Sequence, residues 1–169
     1  AFTPDLFKVG VACAPPVDLV KAIRNFRTTE TNSTGLVRYE TFKKLAVDLD
    51  NPEDVERLSA NSPDRHATKV KSPLYIWAGG KDPKVNILNV RDYALRQGEA
   101  GKPIMLLVEP KAGHSPKEDI QIEAYFYMIE KALADHVGGL LESKLSENLT
   151  RYLNRSIVID QNQFAPVSP

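Results

Sequence analysis

The chain has 169 residues, 42% hydrophobic and 26% charged, with 22 Lys plus Arg against 22 Asp plus Glu. That length allows one domain with a sizeable core, and the composition is ordinary for a globular chain. A net charge of zero gives no general pull toward nucleic acid or an anionic membrane, and no apolar run is long enough to span a bilayer.

The sequence opens AFTPDLF, without an initiator Met, a basic n-region or an apolar h-region, so no signal peptide is visible. The expectation is that an upstream part was removed or that these residues are a piece of a longer chain. Residues 8–14 (KVGVACA) form an apolar run stopped by Pro15-Pro16 and read as a buried strand. Cys13 is the single cysteine, so no internal disulfide can form, and within this run it is expected to be a small buried hydrophobe. One cysteine fits cytoplasmic, periplasmic and secreted placement alike.

A short helical pattern covers residues 17–26, and residues 27–35 (RTTETNSTG) read as a polar loop. Residues 36–49 alternate at helical spacing. Asn51-Pro52-Glu53-Asp54 is a helix start, with Asn51 as cap and Pro52 in the first turn, and that helix runs to about Ala60. A linker spans Ser62-Pro63 to Ser72-Pro73. Residues 73–78 (PLYIWA) are a second buried strand ended by Gly79-Gly80, and Trp77 within it is expected to be core. Residues 87–97 are helical, and residues 103–108 (PIMLLV) are a third all-apolar strand. A long helix over 118–136 turns Ile122, Tyr125, Phe126, Ile129, Ala132 and Leu133 inward, and Gly138-Gly139 ends it. A further amphipathic helix over 140–153 and a loose polar tail from Asp160 complete the chain.

Continuous apolar strands alternating with helices imply an α/β architecture of about three parallel strands, with helices on both faces and right-handed crossovers. The first strand is as apolar as the others and so expects two neighbours, yet the sequence offers it one. On this reading a flanking part of the sheet lies outside these residues.

Asp82 follows the second strand in WAGGKDPKV, and His114 follows the third in EPKAGHS. In open parallel sheets the loops at the carboxyl ends of strands line the functional site, so both side chains reach one rim from adjacent strands. An imidazole held at one nitrogen by a buried carboxylate can accept a proton from a hydroxyl at the other. Singly, an Asp in such a turn commonly bonds local amides, and a Gly-His in a loop is commonly just exposed. Together, at the ends of consecutive strands, they favour an acid–base pair. His66 and His136 have no partner at ligand spacing, so neither a metal nor any other cofactor is expected.

Several segments resemble the prolyl oligopeptidase family, in the family's order. DLFKVGVACAPPVDL is similar to the strand after the nucleophile helix, SPDRHATKVKSPLYIWAGGKDPKV to the stretch around the catalytic acid, PIMLLVEPKAGHSP to the strand leading to the catalytic histidine, and FYMIEKALADHVGG to the closing helix. The resemblance implies that residues 1–139 are the C-terminal part of an α/β-hydrolase catalytic domain, followed by a helix and tail over 140–169. It implies Asp82 as triad acid and His114 as triad base. The family's nucleophile sits in a G-x-S-x-G elbow, and no such motif occurs here; neither Ser115 nor Ser33 is placed to replace it. The family often has Arg two residues after the acid, where this chain has Lys84; Phe26 and Tyr39 are candidate pocket walls, but a core role is the favoured reading for both, so proline specificity is not expected.

The resulting expectation is the C-terminal part of a serine peptidase acting on short peptides, its nucleophile upstream. Another α/β-hydrolase such as an acyl esterase, or a non-catalytic unit associating through the open edge of the first strand and the Leu140, Leu141, Leu145, Leu149, Leu153 stripe, are the alternatives.

Overall fold

The computed structural model describes residues 3, 5–29, 40–41, 43–45 and 47–160. Its sheet is built from the apolar runs, because a strand covered on both faces has no place for an alternating polar residue. β1 (Gly10–Cys13), β2 (Leu74–Gly79) and β3 (Ile104–Glu109) are parallel neighbours in that order. Cys13 lies opposite Trp77, and Trp77 opposite Leu107.

The helices are α1 (Leu19–Thr29), α2 (Pro52–Ala60), α3 (Ile87–Glu99), α4 (Asp119–His136) and α5 (Glu147–Ser156). Local chemistry starts them where the sequence indicates. Asn51 Oδ1 accepts the Glu53 amide at 3.0 Å, with Pro52 in the first turn of α2. Glu118 and Gln121 close a reciprocal capping box at the start of α4. The expected linker is in part a 3₁₀ helix, Pro63–Lys69, that buries Ala67.

Two cores sandwich the sheet. On one face Ile76, Ala78, Ile104, Leu106 and Val108 pack against Val17, Ala67 and α3 residues Val90, Tyr93 and Ala94. On the other, Tyr75, Trp77, Met105 and Leu107 pack against Ala124, Met128 and Ala132 of α4 and Leu149, Tyr152 and Leu153 of α5. Helices therefore cover both faces, as expected, and Trp77 is fully buried.

The structure corrects the sequence reading at several points. A fourth strand, β4 (Ile157–Asp160), pairs antiparallel with β3, so the sheet is mixed and Asp160 ends a strand instead of opening a tail; residues 161–169 lie outside the described set. The last helix starts at Glu147, not at 140, because Gly138 and Gly139 adopt φ of 98° and 144° and Ser146 supplies the cap, its Oγ accepting the Leu149 amide. Leu140 stands 98% exposed. The buried side of α4 is Gln121, Ala124, Met128 and Ala132; of the residues expected to face inward, Ile122, Phe126 and Leu133 are exposed. Helix α1 continues through Thr29 into the expected loop, and residues 30–35 lie outside the described set. Of the helix expected over 36–49, residues 40–41 and 43–44 are helical and most of the remainder is not described. No helix among the described residues is long and apolar enough to cross a membrane.

Candidate active site

The carboxyl ends of β2 and β3 carry the two loops that hold Asp82 and His114. These loops are laced together. The Gly80 amide donates to Glu109 O at 2.7 Å, and the Lys81 amide donates to Ala112 O at 2.9 Å. Gly79-Gly80 is what allows this approach. A Cβ on Gly79 would lie 1.9 Å from Gly113 O and 2.6 Å from Ala112 O, and one on Gly80 would lie 2.7 Å from Pro110 O. These are backbone atoms that cannot swing aside, so the dipeptide serves close packing and is more than a strand stop.

The acid is fixed from two directions. Asp82 Oδ1 accepts the amides of Lys84 at 2.8 Å and Val85 at 3.1 Å, an Asx-type turn. Asn25 of α1 donates from Nδ2 to Pro83 O at 2.7 Å, tying the turn to the helix behind it. The other carboxylate oxygen, Oδ2, lies 2.8 Å from His114 Nδ1. A carboxylate only accepts, so Nδ1 carries the proton in this contact. The Asp82 side chain is 1% exposed and the His114 side chain 46%. The buried partner thus holds the ring at one nitrogen, while the exposed ring leaves Nε2 available. Both predicted site residues are therefore brought together at one rim.

The exposed Cys13 departs from its expected burial: the end of β1 lacks a covering neighbour among the described residues. Crowding around the sulfur raises the thiol from its ordinary value, and the Asp82 charge adds to this, against a hydrogen bond with Tyr125. That is the opposite of an activated thiolate. Tyr125 in turn stands edge-on to Trp77, ring centroids 6.4 Å apart.

His66 Nε2 donates to Ala60 O, 2.7 Å away, and His136 stands edge-on to Tyr75; both lie apart from the rim. Among the described residues no three His, Cys, Asp or Glu side chains cluster as metal ligands. The Phe26 side chain and all of Tyr39 and Ser33 lie outside the described set. Sequence reasoning missed Asn25, Glu109 and Tyr152. A charged residue closing an all-apolar strand was the available signal for Glu109.

The model of the prolyl oligopeptidase family matches residues 1–134. Dipeptidyl peptidase family member 6 of Caenorhabditis elegans is 23% identical over 181 residues, which takes in 99% of this chain and 24% of that protein. The chain therefore spans about a quarter of that relative's length. An acylaminoacyl peptidase of Pyrococcus horikoshii superposes with a TM-score of 0.60 at 17% identity, over 86% of this chain and 22% of that one. An esterase of Pyrococcus furiosus gives 0.57 at 17% identity, over 80% of this chain and 48% of that one. At such identities the likeness establishes the fold, a partial α/β-hydrolase. With the family model matching most of its length, the chain belongs to the prolyl oligopeptidase family.

Proposed function

We propose that this chain is the part of a serine peptidase that supplies the general base, His114, and its orienting acid, Asp82, while a segment preceding Ala1 supplies the nucleophilic serine. The observation that carries this reading is the 2.8 Å contact between Asp82 Oδ2 and His114 Nδ1, with the carboxylate buried and the ring half open. His114 Nε2 takes the proton of the attacking hydroxyl and returns it to the leaving amine of a short peptide. Asp82 keeps the ring in the tautomer that leaves Nε2 free and stabilises the imidazolium that forms. Backbone amides beside the nucleophile would hold the oxyanion.

Two surfaces support an upstream partner. The outer edge of β1 is unpaired among the described residues. Along α4 and its C-cap, Ile122, Phe126, Leu133 and Val137 form a second apolar stripe that the described residues leave exposed. A buried-type strand and a doubly apolar helix call for covering chain. The same surfaces would let isolated chains self-associate.

The test uses the polypeptide extended upstream to include a Gly-x-Ser-x-Gly segment. With an aminoacyl amide as substrate, His114→Ala is expected to lower kcat by about 10⁴-fold or more with KM little changed. Unaltered turnover in that variant would sink the assignment. The same rim serves an acyl esterase equally well, so a preference of the extended enzyme for a short-chain ester over the amide would move the substrate class, not the residues.

A further inference from the structure

We propose that Glu109 and Tyr152 form a positioning pair for His114, a role that rests on the reading of His114 as the base. Glu109 is the last residue of β3 and only 5% exposed, so its carboxylate closes a strand whose other residues are all apolar. A carboxylate buried there needs donors on both oxygens. Oε1 accepts the Lys111 amide at 3.1 Å, and Oε2 accepts the hydroxyl of Tyr152. Tyr152 sits on α5, itself buried, with the Arg155 guanidinium 4.8 Å from its ring centre.

What makes this pair more than a buried contact is where the backbone goes next. Glu109 O accepts the Gly80 amide at 2.7 Å and the Ala112 amide at 3.2 Å, and Ala112 O accepts the Lys81 amide at 2.9 Å. The side chain and carbonyl of Glu109 therefore define the first turn of the loop that ends at His114, and the same carbonyl grips the loop that ends at Asp82. Tyr152 connects that turn to α5, whose last residue leads directly into β4, with Ile157 opposite Leu107 of β3. The C-terminal unit thus braces the histidine loop from behind, and loosening the brace lets His114 drift from Asp82 without altering either residue.

A stability role alone is separable from this one. Tyr75 offers a matched hydroxyl: it is fully buried and donates to Asp135 at 3.0 Å, but it lies near the opposite end of the strands. The experiment follows the Nδ1 proton of His114 by NMR in the chain as it stands, the signal being assigned by its loss in His114→Gln. In the unsubstituted chain this proton is expected to be protected from solvent exchange. Tyr152→Phe and Glu109→Gln should each speed its exchange by roughly tenfold or more, the scale of losing one charge-assisted hydrogen bond from a local opening equilibrium. Tyr75→Phe should change it by less than about twofold, as expected for a distant site. If Tyr152→Phe does not fold by circular dichroism, Glu109→Gln carries the test. Unchanged exchange in the folded Tyr152 or Glu109 variant, or equal acceleration in Tyr75→Phe, overturns the pair. An unprotected proton in the parent chain would instead defeat the Asp82–His114 site, and the pair with it.

Discussion

Asp82 divides its carboxylate between two tasks: Oδ2 meets His114 Nδ1 at 2.8 Å, while Oδ1 accepts the amides of Lys84 and Val85 at 2.8 and 3.1 Å. The turn that holds the acid and the contact that orients the base are therefore one hydrogen-bonded unit, delivered by adjacent parallel strands.

Separating the two tasks by substitution is the first check. Asp82→Ala strips the acceptor from two amides and is expected to cost about 1–3 kcal/mol. Asp82→Asn can keep Oδ1 as acceptor, so its cost is expected to stay under about 1 kcal/mol. Its amide donor, however, faces Nδ1 and drives the ring to the other tautomer. Urea denaturation reads the first effect and the imidazole NMR spectrum the second. Equal stability losses in the two variants would show that the turn does not depend on Oδ1.

Loop-to-loop contact predicts a sharp contrast between two glycines. Gly79→Ala places a methyl 1.9 Å from Gly113 O, so the acid and base loops must separate. The expected loss is about 2–4 kcal/mol, in the range of severe overpacking against backbone. Gly113→Ala meets nothing within 4 Å and is expected to stay within about 0.5 kcal/mol of the parent. Thermal melts of the two variants decide it, and a tolerated Gly79→Ala would contradict the interlock.

Alkaline pH should destabilise the fold through two tyrosines. Burial, and then the hydrogen bond and charge of Asp135, raise Tyr75 above its ordinary value of 10.0. Burial, and then the hydrogen bond and charge of Glu109, raise Tyr152 above the same value. A folded value raised in this way means stability fully present below pH 10.0 and lost as pH climbs through the folded value. Phenolate absorbance followed against unfolding is expected to show these two rings ionising together with loss of structure, and Tyr152→Phe to soften the alkaline limb. Ionisation of Tyr152 with the ordinary midpoint in a folded chain would refute its burial against Glu109.

How far the sequence carried depends on which physical signal each element uses. The three parallel strands were legible because they are apolar throughout, apart from Glu109 at the end of β3; the structure moves their ends by a residue or two. Asp82 and His114 were legible because they follow those strands directly. β4 was not, because Ile157 follows Ser156 of α5 with no turn residue between them. The buried face of α4 was misread for a different reason. Its apolar arc is wider than the strip its own domain covers, and periodicity cannot tell the covered part from Ile122, Phe126 and Leu133 beyond it. Cys13 was misjudged likewise, since an apolar strand gives no sign of which of its side chains the described residues leave exposed.

Substitution within that exposed stripe is expected to have a cost that depends on context. Phe126 is 56% exposed here, so Phe126→Gln is expected to alter the stability of this chain by no more than about 0.5 kcal/mol. It should also reduce dye binding to apolar surface and self-association. If, as proposed, an upstream segment covers the stripe, the same substitution in the polypeptide extended upstream should cost about 3 kcal/mol or more. Equal small effects in both would leave the α4 stripe without a covering partner.

Covalent titration with a fluorophosphonate probe puts the whole account to the question. Such a reagent marks only a serine whose hydroxyl is activated by a base, and it needs no substrate specificity. The 169-residue chain is expected to remain unlabelled, and the upstream-extended polypeptide to label once, on a serine outside these residues, with labelling abolished by His114→Ala. Labelling of the chain by itself, or labelling of the extended form that survives loss of His114, would contradict a base and acid that wait for a serine from elsewhere.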